Sequence, residues 1–282
     1  MPENSRNHIG SLPLAIVYEE IFEKLKPTAI MQIVCQGSWM YIDTRDVSIA
    51  RRLLTDGVWE PYETKLMKQI IKSNMVVLDI GANIGYYTLL AARLMNGTGK
   101  VVAIEPHSEN FRLLNLSIRA NAYANVIAVQ KAVSNTTGRT KLFLDAKAIG
   151  IPSLSEDNIS AKGGFVCVDT ATLDSILRGL GIEKIDVMKI DVEGAEGLVF
   201  EGGNKTLRSV KRIFMEFKQQ ALRNLGTDPE KLIRRLIDAG FVVSHIDEKN
   251  HRCVPIGSDY SSVLRFQEAN LLLELSQEFG VV

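Results

Sequence analysis

Lys189, Asp191 and Glu193 alternate at the end of the apolar run DVMKIDVEGAE, and Glu196 follows three residues later. In an extended segment the side-chain period is two, so the first three share one face. Charges at a buried strand end carry a desolvation cost unless they are paired or used. Three chemistries fit. Asp191 or Glu193, with raised proton affinity, can act as a general base toward a hydroxyl. Alternatively Asp191, Glu193 and Glu216, the last near the end of IFMEF, can ligate a divalent metal such as Mg²⁺ that acidifies a hydroxyl. The third option is structural: Lys189 pairs with Asp191, and Glu196 complements a helix N-terminus. The expectation favours function for Asp191 and Glu193 and structure for Glu196. Lys189 stays undecided, and nothing in the sequence chooses between base and metal.

A second constellation begins at Asp79 in MVVLDIGANIGYYTLLAARLM. Gly81 sits where an apolar strand turns into a helix, and glycine there adopts positive φ and admits a ligand close to the backbone. The amides of Ala82, Asn83 and Ile84 are expected to open the helix toward a negative group. Gly85 and Thr88 belong to the same turn and first helical residues. The next strand, KVVAIE, ends in Glu105, 20 residues past Gly85, followed by Pro106. An acid there accepts hydrogen bonds from both ribose hydroxyls and repels a 2′-phosphate. The third strand, NVIAVQ, ends in Gln130, and Gln130 and Ala132 are placed to meet an adenine edge. A pyrophosphate loop normally shows three glycines; this one shows two. S-adenosyl-L-methionine (SAM), with a short zwitterionic tail whose amine suits Asp79, fits better than a dinucleotide.

Positioning these groups requires a regular scaffold. Short apolar runs alternate with helical patterns from residue 75 onward, the mark of an α/β, doubly wound, mainly parallel sheet with its ligand crevice at the strand carboxyl ends. TKLFLD and FVCVD read as edge strands, and the segment 146–164 as a long loop able to close over an acceptor. Upstream, LPLAIVYEEIFEKLK (12–26) has helical spacing, and two strands flank Gln36-Gly37-Ser38. The expected division is an N-terminal extension over 1–60, helix plus short hairpin, and a catalytic domain over 61–282. Lys+Arg and Asp+Glu both number 33, and this zero balance disfavours a nucleic-acid partner. Three scattered cysteines offer neither a disulfide framework nor a zinc spacing. With no signal-peptide pattern and no apolar run of about 18 residues, a cytoplasmic location is expected.

DIGANIGYYT together with KIDVEGAE, the VAIEP segment and the IFMEF strand resembles the FkbM family of SAM-dependent methyltransferases. The similarity spans roughly residues 57–246. It implies a seven-stranded sheet, SAM as cofactor held by Asp79, Gly81, Asn83, Gly85 and Glu105, and O-methylation of a sugar, glycolipid or polyketide-like small molecule. An NAD-dependent oxidoreductase and a noncatalytic methyltransferase-like module are the alternatives. The two-glycine loop and the acidic fourth strand argue against the first, the intact loop and acids against the second.

Overall fold

The computed structural model describes residues 30–146, 148, 150–257 and 260–276; the helix expected over 12–26 lies outside them. The described chain opens on a hairpin of β1 (Ile30–Cys35) and β2 (Ser38–Asp43). Its two turn residues, Gln36 and Gly37, both have positive φ (49° and 77°), the conformation that matches the twist of the flanking strands. Helices α1 (Ile49–Asp56) and α2 (Pro61–Ile70) follow. Pro61 starts α2, where its missing N–H costs nothing.

The repeating part then runs β3 (Val76–Ile80), α3 (Tyr86–Met95), β4 (Lys100–Ile104), α4 (Ser108–Ala120), β5 (Val126–Val129), with α5 (Leu173–Gly179), β9 (Ile185–Ile190), α6 (Glu196–Glu201) and β10 (Val210–Lys218) resuming it. Between the halves lie β6 (Ala132–Val133), β7 (Gly138–Asp145) and β8 (Lys162–Ala171). The chain continues through α7 (Gln219–Asn224), α8 (Pro229–Asp238), β11 (Phe241–Asp247), β12 (Arg252–Gly257), α9 (Tyr260–Val263) and β13 (Glu268–Leu275).

The main sheet has eight strands in the order β12-β11-β13-β10-β9-β3-β4-β5. It is mixed, and larger than the seven strands expected. β5, β4, β3, β9 and β10 are parallel, whereas β13 slots antiparallel between β10 and β11, and β12 folds back on β11. The eighth strand, β12 (RCVPIG), escapes sequence reading because it is short, holds a proline and buries none of residues 252–256, so it shows no alternating hydrophobic pattern. β7 and β8 leave the main sheet and pair with β6 as a separate three-stranded sheet. The burial of β7 fits this place: only Leu142 and Asp145 are buried along its length, which suits a sheet with one wet face rather than a doubly covered one.

Both faces of the main sheet are covered. Leu78, Ile80, Met188 and Ile190 pack against Leu173, Val199, Phe200, Ile233 and Leu236 of α5, α6 and α8. On the other face Val77, Val101, Val187 and Phe214 pack against Leu66, Met67, Leu89 and Leu90 of α2 and α3. Met40 and Ile42 of the hairpin and Ile49 and Leu53 of α1 belong to that same core. No helix among the described residues is long and apolar enough to cross a membrane. Chain order reverses beside β3, which has β4 on one side and β9 on the other, so the crevice opens at the carboxyl ends of β3 and β9.

Candidate active site

At the end of β3, Gly81 (φ 80°) and Asn83 (φ 51°) turn the peptide planes back toward β4. The amides of Gly81 and Ala82 both donate to the Ile104 carbonyl, at 2.9 and 3.1 Å. The Asn83 amide donates to Glu105 Oε2 at 2.9 Å, and the His107 amide to Glu105 Oε1 at 2.8 Å. The expectation that Ala82 and Asn83 present their amides to an anionic ligand is therefore corrected: both bond to the end of β4. What the loop offers is a fixed carboxylate. Burial pushes Glu105 up to about 7, against the two amides that lower it. Asp79 is also fully enclosed; burial pushes it up to about 6, countered by Thr88, whose hydroxyl donates to Asp79 Oδ2 at 2.5 Å. Gly85 (φ 98°) begins α3 with Leu114 so near that a Cβ would come within 2.6 Å of its Cδ1.

A cavity of about 330 Å³ is lined by both constellations: Asp79, Gly81, Ala82, Asn83, Glu105, Pro106 and Ala132, together with Lys189, Asp191, Glu193 and Glu216. Glu105 follows β4 and Glu216 stands near the end of β10, three strand spacings apart. At about 4.8 Å each that is roughly 14 Å, the length of a nucleoside with a short tail. Three expected residues do not reach the wall. Gly85 shapes the turn and Thr88 orients Asp79 from behind. Gln130 is exposed, and its neighbour Lys131 lines the cavity in its place. The segment 146–164 contributes Gly150, Ile151, Pro152 and Leu154 to the wall. It is fastened by Asn83 Nδ2 donating to the Gly150 carbonyl (2.6 Å) and by Ser153 Oγ and Asn158 Nδ2 donating to the Glu193 carbonyl (2.8 and 2.9 Å). His245 packs at a tilt against Phe266 and His251 stacks on Tyr62; neither lines the cavity.

The acidic strand end contains two ammonium groups, each among carboxylates. Lys189 is fully buried, with Nζ 2.9 Å from Glu63, 3.6 Å from Asp191 and 3.8 Å from Glu60. Burial alone lowers its proton affinity, but the three carboxylates outweigh it and hold the ammonium well above its usual range. Glu63 is equally enclosed and burial pushes it up to about 8. Glu60, at φ 40°, accepts from the Tyr87 hydroxyl and from Asn270 Nδ2, each at 2.6 Å. Lys218 Nζ lies 2.8 Å from both Glu193 and Glu216. Burial raises Glu216 well above the ordinary carboxylate range and raises Glu193 as well; Asp191 adds to both, and Lys218 opposes both shifts. Glu196 Oε1 accepts from the amides of Val192 (3.2 Å) and Gly194 (3.4 Å), which ties the turn after β9 to α6. Glu193 itself has φ 51°, a strained position of the kind that clusters at functional sites.

Sequence reasoning missed Glu63 and Lys218. A signal existed for the second: Lys218 follows Glu216 by two residues in a strand, so it shares that face. Glu63 carried none, because only the packing of α2 against β9 brings it to Lys189.

Burial of these acids sets a pH dependence. Glu105 and Asp79 hold protons in the folded chain to higher pH than in the unfolded one. The stability from this source is complete below the ordinary carboxylate range and is lost as pH rises through about 6 to 7. The ligand-free protein is expected to melt at a higher temperature near about pH 5.5 than near about pH 8. Glu105→Gln should narrow that difference in paired melting curves; an unchanged difference would refute the assignment.

The family model for the methyltransferase FkbM domain matches residues 79–243, more than half of the chain. The chain belongs to the FkbM methyltransferase family. This FkbM protein is similar to the hexuronic acid methyltransferase AglP of Haloferax volcanii, at 26% identity over 62% of this chain and 66% of AglP. It is also similar to the 2-O-methyltransferase NoeI of Sinorhizobium fredii, at 28% identity over 62% of this chain and 79% of NoeI. The match thus spans about two thirds of AglP's length. Among solved structures, a methyltransferase FkbM from Methylobacillus flagellatus aligns at 13% identity with a TM-score of 0.45, over 92% of this chain and 59% of that one.

Proposed function

We propose that this FkbM protein transfers a methyl group from SAM to a hydroxyl oxygen of a sugar, glycolipid or polyketide-like small molecule. The observation that carries the proposal is the buried Glu105 carboxylate, held by two backbone amides at one side of a cavity that also contains Asp191. An acid so fixed is matched to the two hydroxyls of a ribose. The loop amides of Ala82 and Asn83 are already bonded, so the turn suits a link without negative charge, such as a sulfonium, rather than a pyrophosphate. Asp79, buried at the turn, suits the SAM amine.

Bound SAM would supply an activated methyl on sulfonium. The chain's part is to hold an acceptor oxygen in line, exclude water and take a proton. Asp191 is the group we assign to the proton. Its side chain retains 29% exposure at the cavity, whereas Glu193 and Glu216 are committed to Lys218. Similarity to AglP, a hexuronic acid methyltransferase, supports a carbohydrate acceptor, and similarity to the 2-O-methyltransferase NoeI supports transfer to oxygen.

Calorimetry with SAM and with NAD tests the cofactor. SAM is expected to bind and NAD not, and Glu105→Ala should weaken SAM by about 10²- to 10⁴-fold, the loss of two hydrogen bonds to a charged group. Binding of NAD without SAM would overturn the proposal. Labelled SAM offered with sugars, glycolipids and polyketide alcohols then identifies the acceptor class.

A further inference from the structure

Asp191, Glu193 and Glu216 each offer a carboxylate oxygen within 4.8 Å of the others, a set of the size a divalent cation requires. Whether such an ion fits is decided by a fourth side chain. Lys218 projects into the same cavity, and its Nζ stands 2.8 Å from Glu193 Oε2 and 2.8 Å from Glu216 Oε2. An ammonium 2.8 Å from an oxygen of two of the three carboxylates sets a positive charge beside them that opposes a second cation. The set as it stands does not fit a metal.

We propose that Lys218 is the built-in cation of this site, bridging Glu193 and Glu216 in the position where a hydroxyl-methylating enzyme with three converging carboxylates would otherwise hold a divalent ion. The register explains how the chain achieves this. Glu216 and Lys218 are two residues apart on β10 and so share a face, opposite the turn after β9 that carries Glu193. That turn is itself fixed: Glu193 sits at φ 51° with its carbonyl held by Ser153 and Asn158. The acids therefore cannot drift apart to relieve their repulsion, and a cation between them is required. Lys218 donates a hydrogen bond to Glu193 Oε2 and holds Glu216 Oε2 as an ion pair at the same 2.8 Å. As a positioning residue, it keeps Glu193 and Glu216 engaged with each other and leaves Asp191 as the carboxylate turned to the acceptor. The inference rests on the cavity being the acceptor site, but its test needs neither SAM nor acceptor, so the two can fail separately.

The test is titration of Mn²⁺ alone into the full chain, followed by the electron paramagnetic resonance signal of the free ion. Wild type is expected to leave the signal unquenched. Lys218→Met, which keeps the stem and removes the charge, should bind one Mn²⁺ per chain at least about tenfold more tightly than wild type. The double variant Lys218→Met, Glu216→Gln should lose that binding. Lys218→Ala serves if the Met variant does not fold, with melting curves reporting the fold in each case. Lys218→Arg should behave as wild type, because the charge and not the lysine shape is what excludes the ion. One Mn²⁺ bound by wild type and released by Glu216→Gln would overturn the proposal. So would a folded Lys218→Met protein that binds Mn²⁺ no better than wild type.

Discussion

Gly81→Ala is expected to lower the melting temperature by about 10 °C and to weaken SAM by more than about tenfold. A Cβ at this position would lie 1.8 Å from the Asp191 carbonyl oxygen, 2.9 Å from its carbon and 3.2 Å from Val192 Cγ1. The first two are backbone atoms, so no side-chain rotation relieves the overlap. The strand ends cannot simply part, because the Asp191 amide donates to the Ile80 carbonyl at 3.0 Å across the β3–β9 seam. Positive φ (80°) adds about 1–2 kcal/mol for any L side chain. Broken pairing at the centre of the sheet brings the total to about 3–5 kcal/mol. At roughly 2–4 °C per kcal/mol for a chain of this size, the shift is about 10 °C. Ligand affinity falls with it, since the displaced atoms carry Asp79 and Asp191. Gly57→Ala is the matched control: φ is 67° with open space around the Cβ, so only the conformational part remains. Differential scanning calorimetry of both variants decides the matter. A Gly81→Ala protein that melts with Gly57→Ala would mean that the strand ends are looser than their geometry.

The same contact shows why part of the site was legible in the sequence. Gly81, Glu105 and Asp191 each terminate a strand of the parallel half, and strand ends in a doubly wound sheet converge by topology alone. Their types and spacing therefore carried the cofactor region without knowledge of side-chain packing. The direction of the loop amides was not legible, because it depends also on the positive φ of Asn83 (51°), which a residue with a side chain rarely adopts. Glu63 was hidden for another reason. It lies on a helix outside the motif, and its approach to Lys189 follows from α2 packing across β9, a contact between residues 126 positions apart. The mixed sheet shares that origin: β13 enters between β10 and β11 by a non-local pairing, and sequence order does not reveal sheet order.

Asp191→Asn is expected to reduce methyl transfer by about 10²–10⁴-fold while SAM binding stays within about threefold of wild type. Asparagine keeps the shape, and the Asp191 backbone is pinned by the hydrogen bond its N–H donates to the Ile80 carbonyl. The fold should also persist, because Lys189 retains Glu63 at 2.9 Å and Glu60 at 3.8 Å when the third carboxylate loses its charge. What disappears is the proton acceptor. Glu216 does not replace it, because its carboxylate is held 2.8 Å from the Lys218 ammonium. Glu193 is engaged with Lys218, 2.8 Å away. Glu216→Gln is accordingly expected to lose far less activity than Asp191→Asn. Single-turnover assays with labelled SAM and an acceptor found by the screen separate the two, since they read the chemical step apart from binding. Loss in Glu216→Gln equal to that in Asp191→Asn would move the base to Glu216. Full activity in Asp191→Asn would leave alignment of the hydroxyl, without proton transfer to this carboxylate, as the chain's contribution to the step.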